Sequence, residues 1–252
     1  MTRIDPETTF STPADAPLVP RFPIRFRNVE ILTAVYRTDP ERARALLPAP
    51  LEPAGDLVIV HIYRMNDTDA FGVYNESAFQ IPAIYTPTGE RGVFAPYLVH
   101  DSDGGVAAGR ELYGQPKKSG FPAMEVRQDL IVGRVERNGI DIVTLTMPYK
   151  TRASTPEAMR ARLDFVTNFN LKVIPATAGG DAVRELTARE LLELNMHEVW
   201  EGPVTVELRP NAQAPVYRLP VVEMLDGFYW RCDFTLGFGR VLHDYLDPRA
   251  HG

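Results

Sequence analysis

From Val58 to Met65 the chain is apolar in both side-chain directions at once. Val58, Val60 and Ile62 fall on one face of an extended strand, and Ile59, His61, Tyr63 and Met65 on the other. A strand with one wet face alternates apolar with polar residues, so this run must be covered on both sides. That requirement disfavours an open sheet facing water and points to a closed or layered β architecture.

Other segments fit the same picture. Val93–His100 and Val106–Leu112 read as strands. Leu130–Glu136 and Asp141–Met147 flank Asn138-Gly139, the pair that best suits a two-residue hairpin turn. Val204–Arg209, Tyr217–Val222 and Phe234–Leu242 also have strand character. Two short helices are expected. One covers Asp39–Leu47, with Asp39 as cap, Pro40 first and Pro48 as the stop; the other covers Thr155–Phe165, with Thr155 as cap, then Pro156 and Glu157. Ala188–Leu194 has helix-forming propensities, and its residues alone leave it open. Residues 1–24, rich in Pro, Thr and Asp, read as an extended arm. No repeat or long Pro/Gly linker divides 25–252, which reads as one mostly β (α+β) domain with a few helices, a closed barrel with a covering layer.

Composition narrows the function. Apolar residues make up 44% of the 252, enough for a substantial core. The net charge of −6, with no Lys/Arg-rich run, argues against nucleic acid as a partner. Cys232 is the only cysteine, so neither an internal disulfide nor a cysteine metal cluster is open to this chain. His61, His100, His197, His243 and His251 show no metal-ligand spacing, and no metal or cofactor is expected. The N-terminus lacks a signal-peptide apolar stretch, and no run approaches the ~18 apolar residues of a membrane span. The expected location is the cytoplasm.

The segment with most chemistry is Gly109-Arg110-Glu111-Leu112-Tyr113-Gly114-Gln115-Pro116-Lys117-Lys118-Ser119-Gly120-Phe121-Pro122. Read from its residues, a strand ends, Gly114 and Pro116 turn the chain, and two lysines follow. A lysine on a rigid turn can point into a pocket opened by the strand end. To attack a carbonyl it must be neutral, and a reference pKa of about 10.4 leaves well under 1% neutral at pH 7. Desolvation or a second cation lowers that value. A Lys-Lys pair in a turn is ordinarily a solvated surface feature, and the pair alone does not establish catalysis.

GRELYGQPKKSGFP resembles the active-site segment of the acetoacetate decarboxylase family, in which Gly-Arg-Glu runs into Pro-Lys-Lys. Val35-Tyr36-Arg37-Thr38-Asp39, Leu47–Glu52, Tyr74-Asn75-Glu76-Ser77, Met147–Lys150 and His197–Pro203 resemble further family segments, in family order from about residue 25 to 246. The resemblance implies a β cone or barrel wrapped by further strands, usually in homo-oligomers, and makes Ala188–Leu194 a strand. It implies Lys117 as the Schiff-base residue, Lys118 as its modulator and Glu76 as the pocket carboxylate that handles protons. Lysines of this kind are known to be activated by desolvation or a neighbouring cation, the acetoacetate decarboxylase strategy itself.

Three departures bear on the reaction. Val29 stands where the decarboxylases carry a pocket arginine, His61 where they carry a second glutamate, and Gln115 where they carry an aromatic residue. Valine cannot imitate the guanidinium fork that binds carboxylates. The expectation is therefore an aldolase-dehydratase that condenses pyruvate with an aldehyde through Lys117. Decarboxylation of acetoacetate or another β-oxo acid by the same lysine is the alternative, and a catalytically inactive binding protein the third. His61, Gln115 and Tyr113 are expected to orient the substrate, while Arg110 and Glu111 form a structural pair at the strand end.

Overall fold

The computed structural model describes residues 3–163 and 167–247. Residues 3–23 contain no helix or strand, and regular structure begins at Ile24.

Seven strands close a ring. Its order is Tyr74–Tyr85, Leu57–Met65, Ile24–Arg37, Glu223–Leu236, Asp181–Gly202, Thr167–Pro175 and Glu90–His100, and the last pairs back onto Tyr74–Tyr85. The junction between Thr167–Pro175 and Glu90–His100 is parallel and short, held through Asn168 opposite Val93 and Phe169 opposite Phe94. A second sheet, Thr205–Leu208, Ile140–Pro148, Leu130–Arg137 and Phe121–Arg127, lies over one side of the barrel. Val58, Val60 and Ile62 join Leu32, Ala34, Ile131 and Leu145 in the core between the two layers. Ile59, His61, Tyr63 and Met65 line the cavity inside the barrel. The two apolar faces of this strand therefore meet two different partners, as the sequence demands.

The Asn138-Gly139 hairpin forms, with both residues at positive φ (56° and 73°) and Arg137 opposite Ile140, the type I′ pattern. Ala188–Leu194 lies within the long Asp181–Gly202 strand, where pairing on both edges overrides its helical propensity. Irregular register between Leu192 and Asn195, with Glu193 at φ 54°, bends that strand around the barrel.

Four expectations are corrected. Val106–Leu112 is helical: an α-helix spans Asp103–Ala108, capped by Ser102, and a π-helical turn spans Gly109–Tyr113. Its Ala, Arg, Glu and Leu favour a helix, and the local cap prevails over the short apolar run. Tyr217–Val222 is not a strand; Val216–Arg218 form a single 3₁₀ turn, with Pro215 and Pro220 on either side limiting extended pairing. Phe234–Leu242 is broken by Gly237-Phe238-Gly239 into the end of Glu223–Leu236 and a separate strand, Arg240–Asp244. The two expected helices are capped by Asp39 and Thr155 but are short, Pro40–Arg44 and Pro156–Arg160; Phe165, the expected end of the second, lies outside the described residues.

Gly114 ends the π-helical turn in the left-handed conformation, φ 81°. A Cβ there would lie 2.3 Å from the Lys172 Cα, a backbone atom that cannot move aside. Gly114→Ala should therefore cost about 2–4 kcal/mol, left-handed strain and overpacking together. Chemical denaturation tests this, and a loss below about 0.5 kcal/mol would show that the turn does not depend on glycine.

Candidate active site

Gly114 redirects the chain so that Gln115 and Lys117 enter the barrel. The Gln115 N–H donates to the Gly109 carbonyl, and the Lys117 N–H to the Gln115 carbonyl. Lys117 opens the short strand Lys117–Ser119, which pairs in parallel with Glu90–His100, Lys117 opposite Leu98. Strand alternation then separates the two lysines. Lys117 is 7% exposed and lines the cavity. Lys118 is exposed and donates to the Gln213 carbonyl and side-chain oxygen at 2.7 and 3.3 Å. The expected modulator does not share the cavity with Lys117.

Lys117 Nζ donates to Glu76 Oε2 at 3.0 Å. The same oxygen lies 3.4 Å from His100 Nε2, without the alignment of a hydrogen bond. His100 Nδ1 accepts the Ser102 N–H at 2.9 Å, so a neutral His100 carries its proton on Nε2, toward Glu76. The Tyr74 ring stacks on His100 with centroids 4.3 Å apart. Gly105 and Gly109 let the helix and π-helical turn lie against His100 and Lys117, where a Cβ would meet either side chain.

Burial pushes the Lys117 ammonium below its ordinary pKa, and Glu76 only partly offsets this, while Arg189 pushes in the same direction as burial. For Glu76, burial raises the pKa, but Lys117, His100 and Arg189 more than offset it and keep the carboxyl below its usual range. The site holds an ionised carboxylate beside a lysine that gives up its proton more easily than in water. His100 is pushed down to about 4 by burial and by Lys117.

The cavity has a free volume of about 130 Å³, and most of its wall is apolar. Its inner polar edge is an ordered chain of hydrogen bonds. Trp230 Nε1 donates to Thr33 Oγ1 at 2.9 Å, and an indole can only donate. Gln80 Oε1 can only accept, so the neutral His61 carries its proton on Nε2 and donates to it at 3.2 Å, and His61 Nδ1 accepts from the Thr33 hydroxyl at 2.8 Å. The Gln80 amide then donates to Asn168 Oδ1 at 3.1 Å. Burial pushes His61 down to about 4, so it is neutral, satisfied and cavity-lining.

Gln115 lines the cavity beside Lys117. Tyr113 stands behind it, outside the cavity lining: its hydroxyl donates to the Gly237 carbonyl and its carbonyl accepts from Thr187, so it braces the turn. Arg110 donates to the Lys117 carbonyl at 3.3 Å and acts on the lysine's own strand, not as the expected partner of Glu111. Val29 is fully buried in the apolar cluster with Phe26, Ile31 and Cys232.

Sequence reasoning missed Arg189, His100, Gln80 and Asn168. Gln80 shares strand parity with Glu76 and Ala78, a signal available once Glu76 is placed. Arg189 shares parity with cavity-lining Leu191, a signal readable once the cavity face of that strand is known.

Residues 8–246 match the sequence profile of the acetoacetate decarboxylase (ADC) family. The chain belongs to this family. An acetoacetate decarboxylase of Chromobacterium violaceum is 40% identical over 95% of this chain and 96% of its own. A solved acetoacetate decarboxylase structure superposes with a TM-score of 0.90 at 35% identity, covering 96% of this chain and 98% of its own. An enduracididine biosynthesis enzyme complexed with pyruvate shares the fold at a TM-score of 0.79 and 20% identity, over 94% and 98% of the two chains. The protein is a lyase of this family with its mostly β, wrapped-barrel fold. No helix among the described residues is long and apolar enough to cross a membrane.

The two buried histidines, His61 in the cavity wall and His100 behind Glu76, are held neutral. On unfolding each regains an ordinary pKa near 6.5 and takes up a proton. Stability is therefore full above about pH 6.5 and falls as pH drops toward 4, by on the order of 1–3 kcal/mol per histidine. His61→Gln should flatten that limb in denaturation curves between pH 7 and 4. An unchanged slope would mean that His61 is not buried as a neutral imidazole.

Proposed function

We propose that this lyase decarboxylates acetoacetate or a close β-oxo acid through an iminium at Lys117. The observation that carries the reading is the desolvated Lys117 with its ammonium pKa depressed, 3.0 Å from an ionised Glu76, in the chain's family. The expected pyruvate aldolase-dehydratase gives way to this alternative. Relatives at about 40% identity carry the decarboxylase name, whereas the pyruvate complex lies at 20% and shares the fold alone. Val29 does not exclude an acid substrate, because Arg189 lines the cavity.

The chemistry follows from the charges. Neutral Lys117 Nζ attacks the ketone carbon to give a carbinolamine. Glu76, which took the proton of the resting Lys117 ammonium before the attack, returns it to the departing hydroxyl, and water leaves as the iminium forms. The bond between the α carbon and the carboxylate then breaks. Its electron pair moves toward the iminium nitrogen, giving carbon dioxide and a neutral enamine. Protonation of the enamine carbon and hydrolysis release the ketone and restore Lys117. A cation and an anion merge into neutral products in this step, and a low-dielectric wall favours that change.

Lys117→Met should abolish enzyme-dependent carbon dioxide release. Borohydride with acetoacetate should fix a reduced adduct on the Lys117 peptide of the native enzyme. Glu76→Gln should lower kcat by roughly 10²–10⁴-fold, the usual worth of a positioned acid–base group. Release of carbon dioxide by the Lys117→Met variant at the native rate would sink the reading.

A further inference from the structure

Among the described residues that line the cavity, Arg189 is the one with fully buried side-chain nitrogens that lack a hydrogen-bond partner. It sits on the strand Asp181–Gly202, opposite Asn168. Its guanidinium carbon lies 5.7 Å from the Tyr113 ring centroid. Its Nε and Nη1 are buried, and neither has a hydrogen-bond partner among the described residues. Buried guanidinium N–H groups left unpaired are costly, and the shape they present is a planar fork that fits a carboxylate. By contrast, Lys117 has Glu76, and His61 is satisfied through both ring nitrogens.

We propose that Arg189 holds the carboxylate of the β-oxo acid while Lys117 engages its ketone. The proposal rests on the decarboxylase reading above and names the residue that selects an acid over a neutral ketone. It accounts for Val29: the guanidinium needed for an anionic substrate enters from a different strand, and the wall around Val29 stays apolar. In this chain the second cation acting on Lys117 is also Arg189, since Lys118 faces Gln213. One residue then favours the neutral amine before substrate arrives and is itself neutralised once the carboxylate binds.

An anchor of this kind binds the acid before reaction and loses its partner when carbon dioxide leaves. Its removal should therefore appear in KM more than in kcat. The test uses two reactions of the same lysine. One is acetoacetate decarboxylation. The other is deuterium exchange into acetone, in which Lys117 forms the iminium and a methyl proton is lost to give the enamine, with no carboxylate involved. Both are measured as full pH profiles and compared at their plateaus, because removing Arg189 also raises the Lys117 pKa.

Arg189→Met should raise KM for acetoacetate by roughly 10- to 100-fold, the loss of charge-assisted hydrogen bonds to a buried anion, with kcat within about threefold. Acetone exchange at its plateau should stay within about threefold, which also shows that the variant is folded. Arg189→Lys should recover part of the KM. An unchanged KM in Arg189→Met would overturn the proposal. So would equal losses for acetone and acetoacetate, which would make Arg189 a structural residue. If the native enzyme catalysed neither reaction, the decarboxylase reading itself would fall, and the anchor with it.

Discussion

Everything in this site depends on the cost of keeping a lysine out of water. The barrel closes around Lys117, and burial disfavours its charged form more than Glu76 restores it. Glu76 keeps its charge because three cationic or polarising neighbours converge on it. This balance suits the cycle proposed for the site. The iminium is cationic like the ammonium, so Glu76 can steady both. The enamine formed after bond cleavage is neutral and fits the apolar wall better than the charged pair before it.

The scaffold supports that balance at short range. A helix and a π-helical turn, thin along one side because of Gly105 and Gly109, press against His100 and Lys117. Gly114 then reverses the chain so that Lys117 points inward and Lys118 outward. Across the cavity, the Trp230–Thr33–His61–Gln80 chain fixes a neutral imidazole without adding charge. The cavity is therefore polar in a few fixed places and apolar elsewhere.

Much of this fold is legible in the residues. The two-faced Val58–Met65 strand demands a covered barrel, and Asn138-Gly139 sets a hairpin by its own turn geometry. The errors fall where local and global signals compete. Val106–Leu112 is apolar enough to pass for a strand, yet its cap and propensities make it helical. Tyr217–Val222 carries the right side chains for pairing but follows Pro215 closely and contains Pro220. In the site, Lys117 and Glu76 came from the family resemblance, and the Lys-Lys pair on its own would have suggested only a wet turn. Lys118 illustrates the limit: adjacent in sequence, the two lysines lie on opposite sides of a strand. Arg189 was missed although the resemblance already made its segment a strand, because the residues do not say which of its two alternating faces meets the cavity.

The central claim is that desolvation primes Lys117, and its titration can be followed directly. With ¹³C-labelled lysine side chains, the Lys117 resonance is assigned by its absence in Lys117→Met and tracked by NMR across pH. The account predicts that it titrates clearly below the ordinary lysine value of about 10.4, and that Arg189→Met moves it upward. A Lys117 that titrates with the surface lysines, unmoved by the loss of Arg189, would contradict it.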